Sequence, residues 1–317
     1  MSAVMTFYRF VVLNDLESLR GSLFDSAAGL ALKGTVLLAE EGINGTLTGE
    51  PAALEAFRQI LVSQDAFADM AFKRSTASPD NPVFYRLKVR IKPEIVSFRQ
   101  PGLDPARRTG QHVDAGRWNQ LLDDPDVLVI DTRNSYEIDI GTFPGAVNPQ
   151  TRSFREFPDY VRQHMDPERH PRVAMFCTGG IRCEKATAFM LEQGFDSVYQ
   201  LDGGILGYLE TVTAQENRWQ GECFVFDQRV SVDAALAEGG YQQCYACRRP
   251  LSDEDLVSSE YREGISCPHC VHEQSPAQRA GFAERGHQVR LAEARGEQHL
   301  GRPQGQPQDG GVSSGSR

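Results

Sequence analysis

Phe176-Cys177-Thr178-Gly179-Gly180-Ile181-Arg182-Cys183-Glu184-Lys185 is the stretch that decides how this chain folds. Residues 173–176 are an apolar run that reads as a buried strand, and residues 183–193 have helical spacing. The two glycines between them permit backbone conformations that other residues resist. A short loop that curls into a helix N-terminus turns several N–H groups inward, and with the helix dipole this cradle favours an anion. A thiol at its centre is expected to have a depressed pKa and to be nucleophilic near neutrality. Cys177 is therefore the candidate nucleophile. Thr178, Gly179, Gly180, Ile181 and Arg182 form its anion cradle, with Arg182 as a fixed cation. A lone cysteine ending a core strand is more often inert; the Gly-Gly pair and the arginine at a strand-to-helix junction turn that reading around. Cys183 has two readings, a small core residue or a resolving thiol for Cys177.

Working outward, residues 127–130 form a second buried strand ending in Asp131-Thr132-Arg133. Residues 198–201 make a third, and 205–212 a helix. Apolar runs alternating with helices imply a parallel sheet covered on both faces, with reactive groups beyond the carboxyl ends of the strands. This α/β domain is assigned to residues 113–217, after a Pro- and Gly-rich linker over 100–112.

Residues 1–99 read as a separate ferredoxin-like (acylphosphatase-like) α+β domain. Strands are expected at 7–13, 35–38 and 45–47, with a turn-rich connection at Glu40-Glu41-Gly42-Ile43-Asn44-Gly45. Helical spacing covers 15–30, and Pro51 opens a second helix, where its missing N–H costs little. A strand over 84–91 closes the domain. In it Tyr85, Leu87, Val89 and Ile91 alternate with Arg86, Lys88, Arg90 and Lys92, so period two places four cations on one face. Such a face is either a solvated exterior or a track for nucleic-acid phosphates.

Residues 218–285 contain Cys244-x-x-Cys247 and, after nineteen intervening residues, Cys267-x-x-Cys270. Two such pairs at this separation have the spacing of a four-cysteine zinc site. Four thiolates fill a tetrahedral Zn²⁺ shell with no open position, so the expected metal is structural. His269 and His272 are superfluous to that count. Residues 286–317 are rich in Gln, Gly, Ser and Arg and are expected to be a disordered tail.

The 317-residue chain has a formal net charge of −10, which at first sight disfavours nucleic acid. The acidity is uneven, however: residues 101–240 hold 13 Lys and Arg against 22 Asp and Glu, while the flanking stretches are close to balance. A basic face outside the middle third remains compatible with the composition. No apolar run is long enough to span a bilayer, the N-terminus reads as a strand and not as a signal peptide, and the paired cysteines fit a reducing compartment. The expected location is the cytoplasm.

With these residues in hand, residues 115–215 resemble a rhodanese domain. Asp131-Thr132-Arg133, Glu137 and Gly141-Thr142-Phe143-Pro144-Gly145-Ala146-Val147-Asn148 resemble its first signature, with Thr142 and Phe143 where His and Ile are usual. Cys177 matches the persulfide-bearing cysteine, and Asp202-Gly203-Gly204 the late Gly-Gly turn. Only four residues separate Cys177 from Arg182, a smaller cradle than that of related phosphatases. Taken with Ala39-Glu40-Glu41-Gly42-Ile43-Asn44-Gly45-Thr46, Trp219-Gln220-Gly221-Glu222-Cys223-Phe224-Val225-Phe226-Asp227 and the cysteine pairs, the chain through about residue 275 resembles the bacterial rhodanese-related tRNA uridine hydroxylases. The resemblance implies oxygen-dependent 5-hydroxylation of the wobble uridine, with Cys177 essential. It implies O₂ as co-substrate, an electron donor that the sequence does not identify, and tRNA, not DNA or a membrane, as partner. RNA would dock on Arg86, Lys88, Arg90 and Lys92. A plain sulfurtransferase working through a Cys177 persulfide is the alternative, and a zinc-stabilised binding module with a vestigial thiol is a third.

Overall fold

The computed structural model describes residues 2–77 and 83–296. The N-terminal domain is built from β1 (Ser2–Phe10), α1 (Leu16–Gly29), β2 (Lys33–Ala39), β3 (Gly42–Gly49), α2 (Pro51–Val62), β4 (Phe72–Ala77) and β5 (Leu87–Ile91). Its sheet runs β4-β1-β3-β2-β5, antiparallel except for the β2–β5 pair. The first four strands and two helices make the expected ferredoxin-like unit. Asp15 caps α1 by accepting the Ser18 N–H, and Pro51 occupies the first turn of α2. Leu23 and Ala27 from α1, and Leu54, Phe57 and Leu61 from α2, bury one helical stripe each against Met5, Phe7, Val36, Leu38 and Leu47. Both helices therefore cover one sheet face. The other face, carrying Thr6, Tyr8, Asn44 and Thr46, is turned to the rest of the chain.

The central domain contains β6 (Gln111–Val113), α3 (Ala115–Leu122), β7 (Leu128–Asp131), α4 (Ser135–Ile138), β8 (Gly141–Thr142), α5 (Phe157–His164), β9 (Arg172–Phe176), α6 (Ile181–Glu192), β10 (Ser197–Leu201) and α7 (Gly204–Thr211). Its four strands are parallel in the order β6-β10-β9-β7. Core clusters lie on both faces: Trp118, Phe143, Ile205 and Tyr208 on one, Phe157, Ala186, Phe189 and Met190 on the other. The expected linker is shorter than its composition indicated. Gln111 and His112 already pair with β10, because strand pairing recruits polar residues that no hydrophobic pattern marks.

After α7 the chain does not leave the central domain at once. In β11 (Gln220–Gly221) it pairs with β8, and Trp219, Cys223 and Val225 enter the central core. β12 (Cys223–Phe224) and β13 (Ser231–Val232) then form a hairpin. The separate cysteine-bearing segment starts only with β14 (Gln242–Gln243), followed by β15 (Pro250–Leu251), α8 (Asp253–Val257) and α9 (Pro276–Ala294). The boundary expected at residue 218 therefore moves down the chain. Residues 286–294, expected in the tail, are helical as part of α9, and the tail expectation for 297–317 falls outside the described residues.

The two larger domains are locked by charge. Lys185, on the first turns of α6, is almost wholly buried, and its ammonium reaches Glu41 and Glu94 at 2.8 Å each. Glu41 also accepts the Ile95 N–H at 2.7 Å, and Asn44 donates to the Ile95 carbonyl at 3.1 Å. The Glu40-Glu41-Gly42-Ile43-Asn44 turn is thus a clamp on the connecting segment. Gly42 is required there: at φ 146° an added Cβ would strike the Arg9 carbonyl. Replacing Lys185 with Met leaves two neighbouring carboxylates without their cation. We expect a loss on the order of 3 kcal/mol, read as a lower urea midpoint, with Lys185→Arg retaining most of the stability.

Candidate active site and metal centre

Cys177 follows directly on β9, and its loop feeds the N-terminus of α6. Gly180 caps that helix at φ 99°, and its N–H donates to the Cys177 sulfur at 3.2 Å. A second glycine makes the loop possible from outside. Gly204, at φ 62°, packs so tightly that a Cβ would press on the Cys177 and Thr178 carbonyls, which accept N–H bonds from Ile205 and Leu206 at 2.9 and 3.0 Å. The Asp202-Gly203-Gly204 turn is therefore a backrest for the thiol loop.

The three buried thiols outside the Cys-x-x-Cys pairs differ sharply in acidity. Burial pushes the Cys177 thiol up, but a hydrogen bond from the Cys183 side chain, the Arg182 charge and the N–H groups of Cys183 and Arg182 outweigh it and bring it down to about 6. Cys183 is pushed up by burial and by Cys177, so the pair shares one negative charge with Cys177 carrying it. Cys183 is a core residue whose thiol also hydrogen-bonds Cys177. Cys223 is pushed up to about 12, chiefly by burial, and has no comparable donor. Cys177 is the most acidic thiol of the three.

Arg182 does not offer a free fork to an anion. Its guanidinium binds both oxygens of buried Glu137, at 2.7 and 2.8 Å, and reaches the Thr178 hydroxyl at 3.2 Å. Glu137 is itself fixed by the Asn134 N–H at 3.1 Å, in a capping box at the start of α4. Arg182 thus supplies field and rigidity, while the N–H groups supply the contacts. Beside it, Arg133 grips Asp131 through Nε and Nη2 and is fully buried, with the Trp219 ring 5.1 Å from its guanidinium. The Thr142 hydroxyl donates to the same Asp131 at 3.0 Å, which gives threonine a structural role at the position where the family signature usually has histidine. Reading the sequence placed Glu137 in the rhodanese signature but gave it no role at the site; the Asn134-x-x-Glu137 capping spacing was a second signal.

The N-terminal domain roofs the loop. A cavity of about 430 Å³ has Cys177, Thr178 and Arg182 at its base and Thr6, Asn44 and Thr46 from the sheet above. Lys73 of β4 lines it too, and its ammonium holds the Gly203 carbonyl. Tyr8 donates to Glu184 at 3.1 Å, and Glu184 also meets His112 at 2.9 Å and Thr109 at 2.9 Å. Residues 225–229 form a third wall, where Arg229 pairs with Asp227 and reaches Ser75 of β4 at 3.0 Å.

The four cations predicted on one strand lie elsewhere on the same roof. β5 itself contains Lys88 and Arg90; the Arg86 carbonyl and the Lys92 N–H extend its ladder at either end. The strand starts three residues later than expected, at Leu87. Register places these cations relative to the cavity. Lys88 and Arg90 pair with Thr35 and Leu37, which pair with Thr46 and Asn44. Cations and cavity residues therefore share one sheet face, two strand spacings apart, or about 10 Å. Arg86, Arg90 and Lys92 are exposed, whereas Lys88 is half-buried and its pKa is lowered by burial and by Arg86, Arg90 and Arg248.

Cys244, Cys247, Cys267 and Cys270 converge with their four sulfurs within 4.8 Å of one another. The Cys247–Cys267 and Cys267–Cys270 sulfur separations are 3.8 and 3.6 Å. Tetrahedral Zn²⁺ with Zn–S bonds of about 2.3 Å needs sulfurs about 3.8 Å apart. The donor set can bind a metal of this kind. His269 and His272 are occupied otherwise, facing Asp255 at 2.9 Å and Glu260 at 3.0 Å. Among the described residues, no helix is long and apolar enough to cross a membrane.

Comparisons with known proteins agree with this layout. Residues 2–95 match the UPF0176 acylphosphatase-like domain, and residues 114–211 match the rhodanese-like domain. Among solved structures, a protein of unknown function from Rhodopseudomonas palustris, described as a possible tyrosine phosphatase, is 22% identical over 34% of this chain and 86% of its own, with a TM-score of 0.29. The rhodanese-like domain of an Anabaena protein is 18% identical over 36% of this chain and 80% of its own, at 0.29. An acylphosphatase from Coxiella burnetii is 17% identical over 28% of this chain and 92% of its own, at 0.23.

Removing the Arg182 charge raises the Cys177 midpoint, and removing its neutralising partner lowers it. Arg182→Met should shift the midpoint from about 6 upward by about 1 unit or more, whereas Glu137→Gln should shift it down. The readout is ultraviolet thiolate absorbance against pH, with Cys177→Ser as baseline; an unmoved midpoint in both variants would remove Arg182 as the source of acidity. Metal analysis should find a single zinc per chain in the parent and next to none after Cys267→Ser, with a lower melting temperature; a zinc-free parent would cancel the metal assignment.

Proposed function

We propose that this chain, which joins a UPF0176 acylphosphatase-like domain to a rhodanese-like domain, is a cytoplasmic tRNA-modifying enzyme that hydroxylates C5 of the wobble uridine, with Cys177 as its reactive group. The observation that carries this reading is the placement of an acidic thiol below a cavity whose roof continues into a basic strand. A space of about 430 Å³ lies in the range of small-molecule sites, and a base drawn out of its stack needs such a pocket. The cations of residues 86–92, about 10 Å along the same sheet face, suit the phosphates of flanking nucleotides. At the cavity wall Arg155 has no carboxylate in ion-pair reach among the described residues, which leaves its charge for an anion.

The chemistry asked of Cys177 is ordinary for a thiolate. Addition to C6 of the uracil ring makes C5 an enolate carbon. Attack by C5 on an oxygen atom derived from O₂, loss of the C5 proton and departure of the thiolate restore the aromatic base as 5-hydroxyuridine. The second oxygen leaves as water, which consumes two electrons and two protons from a reductant. Cys177 starts and ends as thiolate, so its depressed pKa serves both steps.

The contact between Cys183 and Cys177 favours a second reading, sulfur transfer. A persulfide on Cys177 would sit in the loop amides, and an adjacent thiol can resolve it.

Nucleoside mass spectrometry of tRNA after reaction separates the two. The parent should form 5-hydroxyuridine and Cys177→Ser none; efficient thiosulfate:cyanide turnover without a tRNA product would select sulfur transfer. Charge reversal at Arg86 and Lys88 should weaken tRNA binding and flatten its salt dependence, by roughly one unit of log–log slope for each phosphate no longer neutralised. Unchanged binding would return residues 86–92 to a solvated face.

A further inference from the structure

Most of the segment Trp219 to Asp227 has structural work. Trp219 lies against Arg133, Cys223 and Val225 fill the core, and Asp227 holds Arg229. Phe226 does none of these. It is 63% exposed, although it is a large aromatic side chain in the wall of the Cys177 cavity. An aromatic residue left this open at a site has given up burial that the core would otherwise provide.

Its surroundings flank the ring on two sides. The Arg182 guanidinium lies over the ring, 5.6 Å from its centroid. The Phe224 ring meets it nearly perpendicular, at 5.1 Å and 83°. The backbone after it is tied down by the Asp227–Arg229 pair, by the Arg229 N–H on the Asp227 carboxylate at 3.0 Å, and by the Arg229 bond to Ser75. The result is a ring beside the thiol loop, backed by a cation, braced by Phe224 and lining the cavity. Such a surface suits a flat π-system. Nucleobases stack on aromatic rings irrespective of their hydrogen-bonding edges, and flipped bases are commonly held this way.

We infer that Phe226 is the stacking platform on which a nucleobase rests while Cys177 reacts with it. This rests on the reading of the substrate as RNA and adds the residue that receives the base. Arg182 then has two roles from one position: its field acidifies Cys177, and its guanidinium backs the ring.

The test uses full-length protein and a tRNA anticodon hairpin with a fluorescent base analogue at the wobble position. Binding and base quenching are measured for the parent, Phe226→Ala, Phe226→Leu and Phe226→Trp, with melting temperatures to verify folding. Phe226→Ala and Phe226→Leu should each weaken binding by about 5- to 150-fold, the range that stacking of one base supplies, and lose the quenching. Phe226→Trp should restore both. If Phe226→Leu binds and quenches like the parent, bulk and not a π-face is what matters and the platform is overturned. Equal binding by the parent and Phe226→Ala overturns it as well. Nucleoside analysis on the same samples isolates the other failure: a parent that binds and quenches but forms no 5-hydroxyuridine refutes hydroxylation and leaves the platform standing.

Discussion

The first turn of α6 puts Arg182, Glu184 and Lys185 in the interior in nearly consecutive positions, and the structure depends on satisfying all three. Each of these groups, buried alone, would cost several kcal/mol. Their partners come from three directions: Glu137 from α4, Tyr8 with His112 from β1 and β6, and Glu41 with Glu94 from the clamp and the connecting segment. Removing the N-terminal domain would strip partners from two of the three. That domain therefore supports the thiol loop as much as the central domain does.

The same turn makes one cysteine of three acidic. Cys177, Cys183 and Cys223 are equally hidden from water, and burial raises all of them. Only Cys177 faces a helix N-terminus, a neighbouring thiol able to donate, and a guanidinium. Glu137 tempers that guanidinium and holds it still. Without the carboxylate, Arg182 would be a buried cation without an ion-pair partner; without Arg182, Glu137 would be a buried anion. The acidity of the thiol thus draws on the Cys183 hydrogen bond and on the charge of an arginine that folding has to pair.

The free face of the N-terminal sheet and residues 225–229 close over the thiol loop and make a walled cavity. Lys73 reaches across to the Gly203 carbonyl, and Arg229 reaches back to Ser75, so roof and wall are tied to the floor and to each other. The cysteine cluster stands apart from this cavity. With its sulfurs at tetrahedral spacing it is suited to hold a small segment together, not to take part in the chemistry.

Local pattern made much of this legible. The βα alternation, the Cys177 loop, the two Cys-x-x-Cys pairs and the alternating cations each depend on residues close in sequence, where strand period, helix spacing and ligand spacing leave a direct mark. The misjudged boundaries had no such mark: Gln111 and His112 look like linker until β10 pairs with them, and residues 218–232 look like a new segment until Trp219 and Cys223 enter the central core. The partners of Arg182 and Lys185 were hidden for the same reason. A charge pair such as Arg182 with Glu137, or Lys185 with Glu41, joins residues far apart along the chain and leaves no periodic signal. The sequence alone determined which thiol sits at a helix N-terminus beside an arginine and which four can bind metal, because neighbours set those properties. The tertiary structure alone decided that the thiol lies under a roof, that the cations share its face, and that Phe226 stands open beside it, because those facts depend on how separate elements pack.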